Sequence, residues 1–287
     1  MGRRMRSEAR DFSELEREGW QRVAEKYEDS WSGLTRLFIP DLVQALHVKS
    51  GCRLLDVACG PGYMAEAARA LGAEPIGVDL SAEMVRLARA RNPQIEFHTG
   101  DAQALPFEGR RFDAVAMNFG VLHLSNPTRA FGETHRVLRA GGRFGFTTWG
   151  PPDVSPGARI VDDAVQAHAN TNVGIPAGPN YFGSSDPEEY RRILGRLGFD
   201  PCSLEFRTVT VEWRIPTASF LFECERDAGV RTAALLAAQT PEALSAIEAQ
   251  MTESVLAYAT PGGFAIPYTA NVIAITATGQ VSERLTK

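Results

Sequence analysis

At 287 residues, 44% hydrophobic and 23% charged, the chain has the composition of a globular protein long enough to bury a large core. A formal net charge of -5 argues against nucleic acid as a partner, because phosphate binding depends on clustered Lys and Arg. No apolar run is long enough to span a bilayer, which argues against a membrane span.

The opening Met1-Gly2-Arg3-Arg4-Met5-Arg6 is basic, but a charged amphipathic stretch follows it rather than the apolar core of a signal peptide. Gly2 invites a myristoylation reading, which Arg6 opposes because that position calls for Ser or Thr. A cytoplasmic protein is expected. Cys52, Cys59, Cys202 and Cys224 form no C-x-x-C, so mostly buried, reduced thiols are expected and neither a disulfide framework nor a metal site.

Ser13 and Glu16 fit a capping box, and Trp20, Val23, Ala24, Tyr27 and Trp31 recur at helical spacing, which predicts a helix over about 13–30. A second helical stretch covers Leu34 to Leu46. Arg53 to Ala58 then reads as a buried strand that runs into a glycine turn. Beyond it the pattern alternates. A helix is expected over Tyr63–Leu71, a strand over Pro75–Asp79, and a helix from the Ser81 cap to Arg91. Strands follow at Ile95–His98 and Phe112–Met117, then a helix over Pro127–Arg139 closed by Gly141-Gly142, and a strand over Arg143–Thr148.

After Trp149 the texture changes. Gly150-Pro151-Pro152 and the stretch Gly174–Ser185 flank one helix around Ala158–Ala169, a pattern that suits a lid. A helix over Asp186–Leu197, a strand over Leu204–Trp213, a largely helical insertion at about 218–260 and a last strand over Phe264–Ala277 complete the reading, with a frayed tail from Thr278. Alternation of this kind predicts an α/β fold with a mostly parallel sheet covered by helices on both faces. The expected domains are a helical cap over 1–50, a Rossmann-like core over 51–150, and a lid with the remaining helices and strands over 151–277.

Asp56-Val57-Ala58-Cys59-Gly60-Pro61-Gly62 ends the first strand of the alternating unit. Glycines there let backbone approach a ligand, and the next helix presents free N–H groups. A dinucleotide site usually carries a third glycine and no carboxylate here, because pyrophosphate sits on that turn. Met64 and Ala65 fill the third-glycine region, and Asp56 precedes the turn. A carboxylate in this place suits a cation, such as the amino group and sulfonium of S-adenosylmethionine (SAM). Asp79, about 20 residues past the turn, can accept both hydrogen bonds of a ribose diol. Asp101, one strand further, can accept one from the adenine amino group. Either residue alone reads equally as a helix cap or turn; three in register favour a shared site.

These segments resemble the class I SAM-dependent methyltransferases, in particular the ubiquinone and menaquinone biosynthesis-like branch. The likeness rests on Leu54 to Gly62, Gly77-Val78-Asp79-Leu80-Ser81, Gly100-Asp101-Ala102-Gln103-Ala104-Leu105-Pro106-Phe107, Phe112-Asp113-Ala114-Val115 and Arg136 to Gly142. It covers about Trp20 to Trp149 and thins beyond Gly150. The resemblance implies a Rossmann-like seven-stranded sheet with N-terminal helices and a helical lid, and methyl transfer from SAM to a small molecule, leaving S-adenosylhomocysteine (SAH). It further implies that Asp56, Gly60 and Gly62 meet the methionine end of SAM and Asp79 its ribose. Leu80 and Met84 would meet the adenine face, Asp101 and Ala102 its edge, and Asn118 and Phe119 the neighbourhood of the sulfonium. Tyr27, with Trp31, would close over the cofactor, although ordinary helix packing explains that aromatic stripe equally.

Methyl transfer from a sulfonium is an in-line displacement governed by alignment, and it needs no metal. His123 is the histidine expected near the methyl group, as a general base where the acceptor is protonated; the alternative is a structural hydrogen bond to backbone. Trp149, Tyr181 and Phe182 flank the lid and could line an acceptor pocket or pack within it. Trp31 joins them as a substrate-binding candidate. The 218–260 insertion leaves both a pocket cover and a homodimer contact open. Two other functional readings are an NAD-dependent oxidoreductase, for which a third glycine and a catalytic Tyr-Lys pair are lacking, and a SAM-binding protein without chemistry.

Overall fold

A computed structural model describes residues 2–279 of the protein, with side chains from Phe12 onward. In chain order the elements begin with α1 (Gly2–Glu28), α2 (Ser32–Thr35), α3 (Ile39–Ala45), β1 (Arg53–Val57), α4 (Tyr63–Ala70), β2 (Glu74–Asp79) and α5 (Ala82–Arg91). They continue through β3 (Glu96–Thr99), β4 (Phe112–Met117), α6 (Pro127–Val137), β5 (Leu138–Trp149), α7 (Pro156–His168) and α8 (Pro187–Arg196). The last are β6 (Phe199–Ile215), α9 (Phe220–Ala228), α10 (Arg231–Ala237), α11 (Pro241–Val255), β7 (Ala259–Thr260) and β8 (Gly263–Ala277).

The chain forms two compact units. Among the described residues, one comprises 2–37, 150–177 and 208–270; the other comprises 38–149, 178–207 and 271–279. Among the described residues, no helix is long and apolar enough to cross a membrane.

The sheet runs β3-β2-β1-β4-β5-β8-β6, with the two-residue β7 paired to β8. β1 pairs in parallel with β2 and β4, β2 with β3, and β4 with β5. Seven strands on one path match the sheet expected from the alternation. Central strands buried on both faces favour near-continuous apolar runs, and β4 carries Ala114–Met117 while β1 carries Leu54, Leu55 and Val57 around the buried Asp56. Leu55, Val57, Val78, Val115, Met117, Phe144, Phe146, Ile273 and Ile275 form the core on one side, joined by Leu194 and Phe199. A smaller cluster of Cys59, Ala65, Val85, Ala88, Ile95 and Phe97 holds α4 and α5 in place.

In the first unit α7 and α11 pack together. Ile247, Met251 and Val255 recur every four residues along α11 and are fully buried, as a single apolar stripe requires. Trp31 stacks on Trp213 at 5.3 Å, and both meet Tyr268 edge-on.

Three expectations need correction. Helix α6 stops at Val137 rather than Arg139, because Leu138 is already extended and pairs with Phe112. The pairing then jumps to Ala114–Arg143 and loops out the intervening residues, with Gly141 at φ +76°. Strand β6 begins at Phe199, five residues earlier than the alternation of apolar residues shows. As the last strand on the path it tolerates Pro201, whose missing N–H would interrupt an inner strand. Thr278 does not begin a frayed tail: its N–H and its hydroxyl both donate to the Gly198 carbonyl, at 2.9 and 2.7 Å. The rest of the expected tail, 280–287, lies outside the described residues.

Candidate functional site

The registers place the three sequence-predicted aspartates along one edge. Asp56 lies opposite Gly77 across β1 and β2, Asp79 lies two residues further along β2 and opposite Thr99, and Asp101 follows the end of β3. All three therefore stand at the C-terminal ends of adjacent parallel strands, where sheets of this kind bind their ligands.

Each carboxylate has a defined partner set. Asp56 is 1% exposed and accepts the Ala65 N–H of α4 at 3.1 Å. Asp79 accepts the Gly60 N–H at 2.8 Å through one oxygen and the Ser81 N–H at 2.9 Å through the other. Half-buried Asp101 accepts from the backbone and side-chain amides of Gln103. An ionised carboxylate offers about four acceptor positions, so Asp79 and Asp101 each keep capacity for a ligand beyond these turn contacts. The turn role therefore leaves room for a ligand role.

Burial, opposed by the Ala65 N–H and aided by the nearby Asp79 charge, pushes the Asp56 carboxyl up to about 8. Burial also raises Asp79, offset by its backbone donors and by His123. Cys59, buried beside both, is raised well above the ordinary thiol range, first by burial and then by the two carboxyls. This edge of the sheet is thus acidic, with no Lys or Arg paired to Asp56 or Asp79 among the described residues.

Unusual backbone conformations gather at the same edge. Ala58 (φ +55°), Gly60 (φ +50°) and Gly62 (φ +87°) follow β1, and Phe119 (φ +56°) follows β4. For Ala and Phe the left-handed region is strained, and such residues cluster at functional sites. The two glycines differ. At Gly60 nothing lies within 4 Å of where a Cβ would stand, whereas at Gly62 that point is 2.9 Å from the Phe97 ring and 3.3 Å from Ala88 Cβ. Gly60 therefore keeps an open face, and Gly62 lets α4 close against β3 and α5. The turns also touch, since a Cβ on Gly120 would stand 2.7 Å from the Ala58 Cβ.

Asn118 and Phe119 are held by Thr147 on β5: the Phe119 N–H donates to the Thr147 hydroxyl at 2.7 Å, and that hydroxyl donates to Asn118 Oδ1 at 2.8 Å. The Phe119 ring stacks on Trp149 at 3.9 Å, and Phe38 meets both rings edge-on. Trp149, a substrate-binding candidate, thus shares a cluster with the cofactor-binding candidate Phe119. His123 closes a single 3₁₀ turn, Val121–His123, after β4, near enough to Asp79 to favour its ionised form. Met84, 2% exposed, donates its N–H to the Ser81 hydroxyl that caps α5; Ala102 is buried at 8%, and Leu80 is exposed at 36%. Tyr181, half-buried, meets Phe182 edge-on.

Tyr27 and Trp31 belong to the first unit. The Tyr27 hydroxyl is 2.9 Å from that of Thr35, and the Trp31 indole N–H donates to the Cys224 carbonyl at 3.1 Å. Sequence reasoning missed Thr147, Ala58 and Gly120. Only Gly120 carried a signal, as a glycine just past a strand.

A parallel sheet in this order, with a glycine turn after β1 and acidic residues ending β1, β2 and β3, has the class I SAM-dependent methyltransferase fold. Residues 55–146 match the methyltransferase domain family. Demethylmenaquinone methyltransferase of Renibacterium salmoninarum is 33% identical over 157 residues, 53% of this chain and 66% of that protein. Malonyl-[acyl-carrier protein] O-methyltransferase of Erwinia billingiae is 32% identical over 167 residues, 54% of this chain and 66% of that protein. The chain matches only 48% and 38% of the length of two further demethylmenaquinone methyltransferases.

Among solved structures, a Bacillus halodurans C-125 protein assigned as a methyltransferase superposes with a TM-score of 0.55 at 20% identity, over 84% of this chain and 98% of that one. A SAM-dependent methyltransferase from Thermotoga maritima gives 0.53 at 18% identity, over 91% and 99%. At such identities these neighbours speak to fold. Residues 55–146 belong to the methyltransferase domain family, and the sequence relatives put the likeness in the quinone biosynthesis-like branch of the class I SAM-dependent methyltransferases.

The family's cofactor is SAM, and the residues present fit it. A buried and a half-buried carboxyl, without a Lys or Arg ion pair among the described residues, suit a ligand with an ammonium and a sulfonium, and the open face of Gly60 admits close approach.

Proposed function

We propose that this protein transfers the methyl group of SAM to a small-molecule acceptor at the C-terminal edge of its sheet. The observation that carries the reading is the Asp56–Asp79 pair beside the glycine turn, the first buried and the second half-buried, with no Lys or Arg ion pair to either among the described residues. Asp56 and Gly60 would hold the methionine end, with Gly62 setting the turn. Asp79 would hold the ribose, Met84, Leu80, Ala102 and Asp101 the adenine, and Asn118 and Phe119 the reactive end. When bound, SAM supplies a methyl group on a sulfonium, open to in-line displacement.

The remaining work falls to the chain's own groups. Exclusion of water and alignment supply most of the rate effect in such a displacement. Phe119, Trp149 and Phe38 form an apolar wall fit for this. Where the acceptor is a hydroxyl, His123 Nδ1 or Nε2 would take its proton, and the nearby Asp79 carboxylate would stabilise the imidazolium. Tyr27, Trp31 and Tyr181 enter the proposal through the family resemblance and their aromatic chemistry. Of the relatives named above, the demethylmenaquinone methyltransferase supports a small-molecule acceptor here.

Isothermal titration tests this reading. SAM and SAH should bind with micromolar affinity, and NAD should not compete. Tight NAD binding without SAM uptake would overturn the assignment.

A further inference from the structure

Thr147 lies in β5, wholly buried. A buried central strand ordinarily carries Val at such a place, because Val has the same branched shape and no polar group to satisfy. The hydroxyl of Thr147 can donate once and accept along its lone pairs, and both capacities go to the loop after β4. It accepts from the Phe119 N–H and donates to Asn118 Oδ1.

These contacts have two consequences. Phe119 stands at φ +56°, a region that bulky residues avoid. Its backbone is held there by Thr147 and its ring by Trp149 and Phe38. The bond to Oδ1 also settles which way the Asn118 amide faces: its oxygen is turned to β5 and its Nδ2 donors away from it. One hydroxyl thus fixes a strained backbone and a side-chain amide in adjacent residues, beside the turn that follows β1.

We propose that Thr147 is a positioning residue for methyl transfer, its hydroxyl clamping Asn118 and Phe119 in the arrangement that receives the reactive end of the cofactor. The inference rests on the methyltransferase reading above. Thr147 touches neither reactant; it acts through its two neighbours.

The test compares Thr147→Val, which keeps the shape and removes the hydroxyl, with Thr147→Ser, which keeps the hydroxyl. SAH affinity is measured by titration, and hydrogen exchange of the Phe119 amide by NMR. Thr147→Val should weaken SAH at least fivefold and speed Phe119 exchange about tenfold, and Thr147→Ser should restore both to within about twofold of wild type. If Thr147→Val does not fold, Thr147→Cys takes its place, with a much weaker hydrogen-bonding group of similar size. A folded hydroxyl-free variant with wild-type SAH affinity would reduce Thr147 to a core residue and overturn the proposal alone. Wild-type protein that takes up neither SAM nor SAH would sink the methyltransferase reading, and this inference with it.

Discussion

The Gly60 N–H donates to Asp79 Oδ2 at 2.8 Å, joining the glycine turn after β1 to the carboxylate that ends β2. The contact lets one carboxylate brace the turn and still keep lone pairs that, on the proposed reading, a ribose diol would use. Each charge-assisted hydrogen bond is worth about 1.5–3 kcal/mol. Loss of two such bonds to a ribose diol should therefore weaken SAM at least a hundredfold in Asp79→Ala, as read by titration. Folding stability should fall by only about 1–2 kcal/mol through the unpaired Gly60 and Ser81 amides. SAM affinity within threefold of wild type would remove Asp79 from the site.

Asp56 makes the same site sensitive to pH. Burial raises its carboxyl to about 8, so the ligand-free protein holds a proton there below that pH. A cation beside the carboxyl favours the ionised form, so binding releases the proton. SAM affinity should rise between pH 6 and 8, by up to about tenfold per unit, and level off above. SAM, with sulfonium and ammonium together, should show the rise more strongly than SAH. Titrations in buffers of different ionisation enthalpy should report proton release near pH 7, and a flat affinity with no buffer dependence would contradict the assignment.

The two glycines of the turn predict different failures. Gly60 has open space at its Cβ position, while Gly62 is closed in by Phe97 and Ala88. Both have positive φ, so alanine at either costs about 1 kcal/mol in backbone strain. Gly62→Ala adds a clash in a packed core and should lose about 2–4 kcal/mol of stability in denaturant unfolding. Gly60→Ala should keep most of its stability and lose SAM affinity at least tenfold. Equal stability losses would show that the open face of Gly60 is filled in solution.

The three aspartates and the glycine turn were legible in the sequence because each ends a short apolar run, and a parallel sheet brings such ends to one edge. Thr147 was not, because a threonine in a β-rich segment looks like any β-branched residue until its hydroxyl has a partner. Neither was Ala58, whose left-handed backbone is imposed by the turn against the preference of its side chain. The start of β6 was hidden by Pro201, since sequence alone does not tell an edge strand from an inner one. The end of α6 was hidden for a similar reason: Val137-Leu138-Arg139 suits a helix, and pairing with Phe112 drew Leu138 into the sheet.

Glu225 on α9 sets a stability profile in the first unit. Burial raises its carboxyl to about 7, opposed by a hydrogen bond with Thr232. The folded state therefore holds a proton that the unfolded chain has already lost above its ordinary carboxylate value. Its share of the stability should be lost as pH rises from about 4.5 to 7, by about 3 kcal/mol. Glu225→Gln removes that share and should make the limb shallower by about this amount, raising stability at pH 8 relative to wild type, while the fall due to Asp56 remains. Chemical denaturation at pH 5, 6.5 and 8 reads the difference, and a wild-type curve that climbs over this range would refute the assignment.

His123 separates binding from chemistry. It ends the 3₁₀ turn after β4 and lies close enough to Asp79 to influence it, yet the family resemblance gives it no cofactor contact. General-base assistance is worth about 10²–10⁴ in rate. With a hydroxyl acceptor, His123→Ala should lower kcat by about a hundredfold while SAM affinity changes less than threefold. If a pre-ionised acceptor restores the variant to wild-type turnover, proton removal is confirmed as its role. Equal losses in turnover and in SAM affinity would instead make His123 a support for Asp79, with the hydrogen bonding of the site, rather than proton transfer, as its contribution.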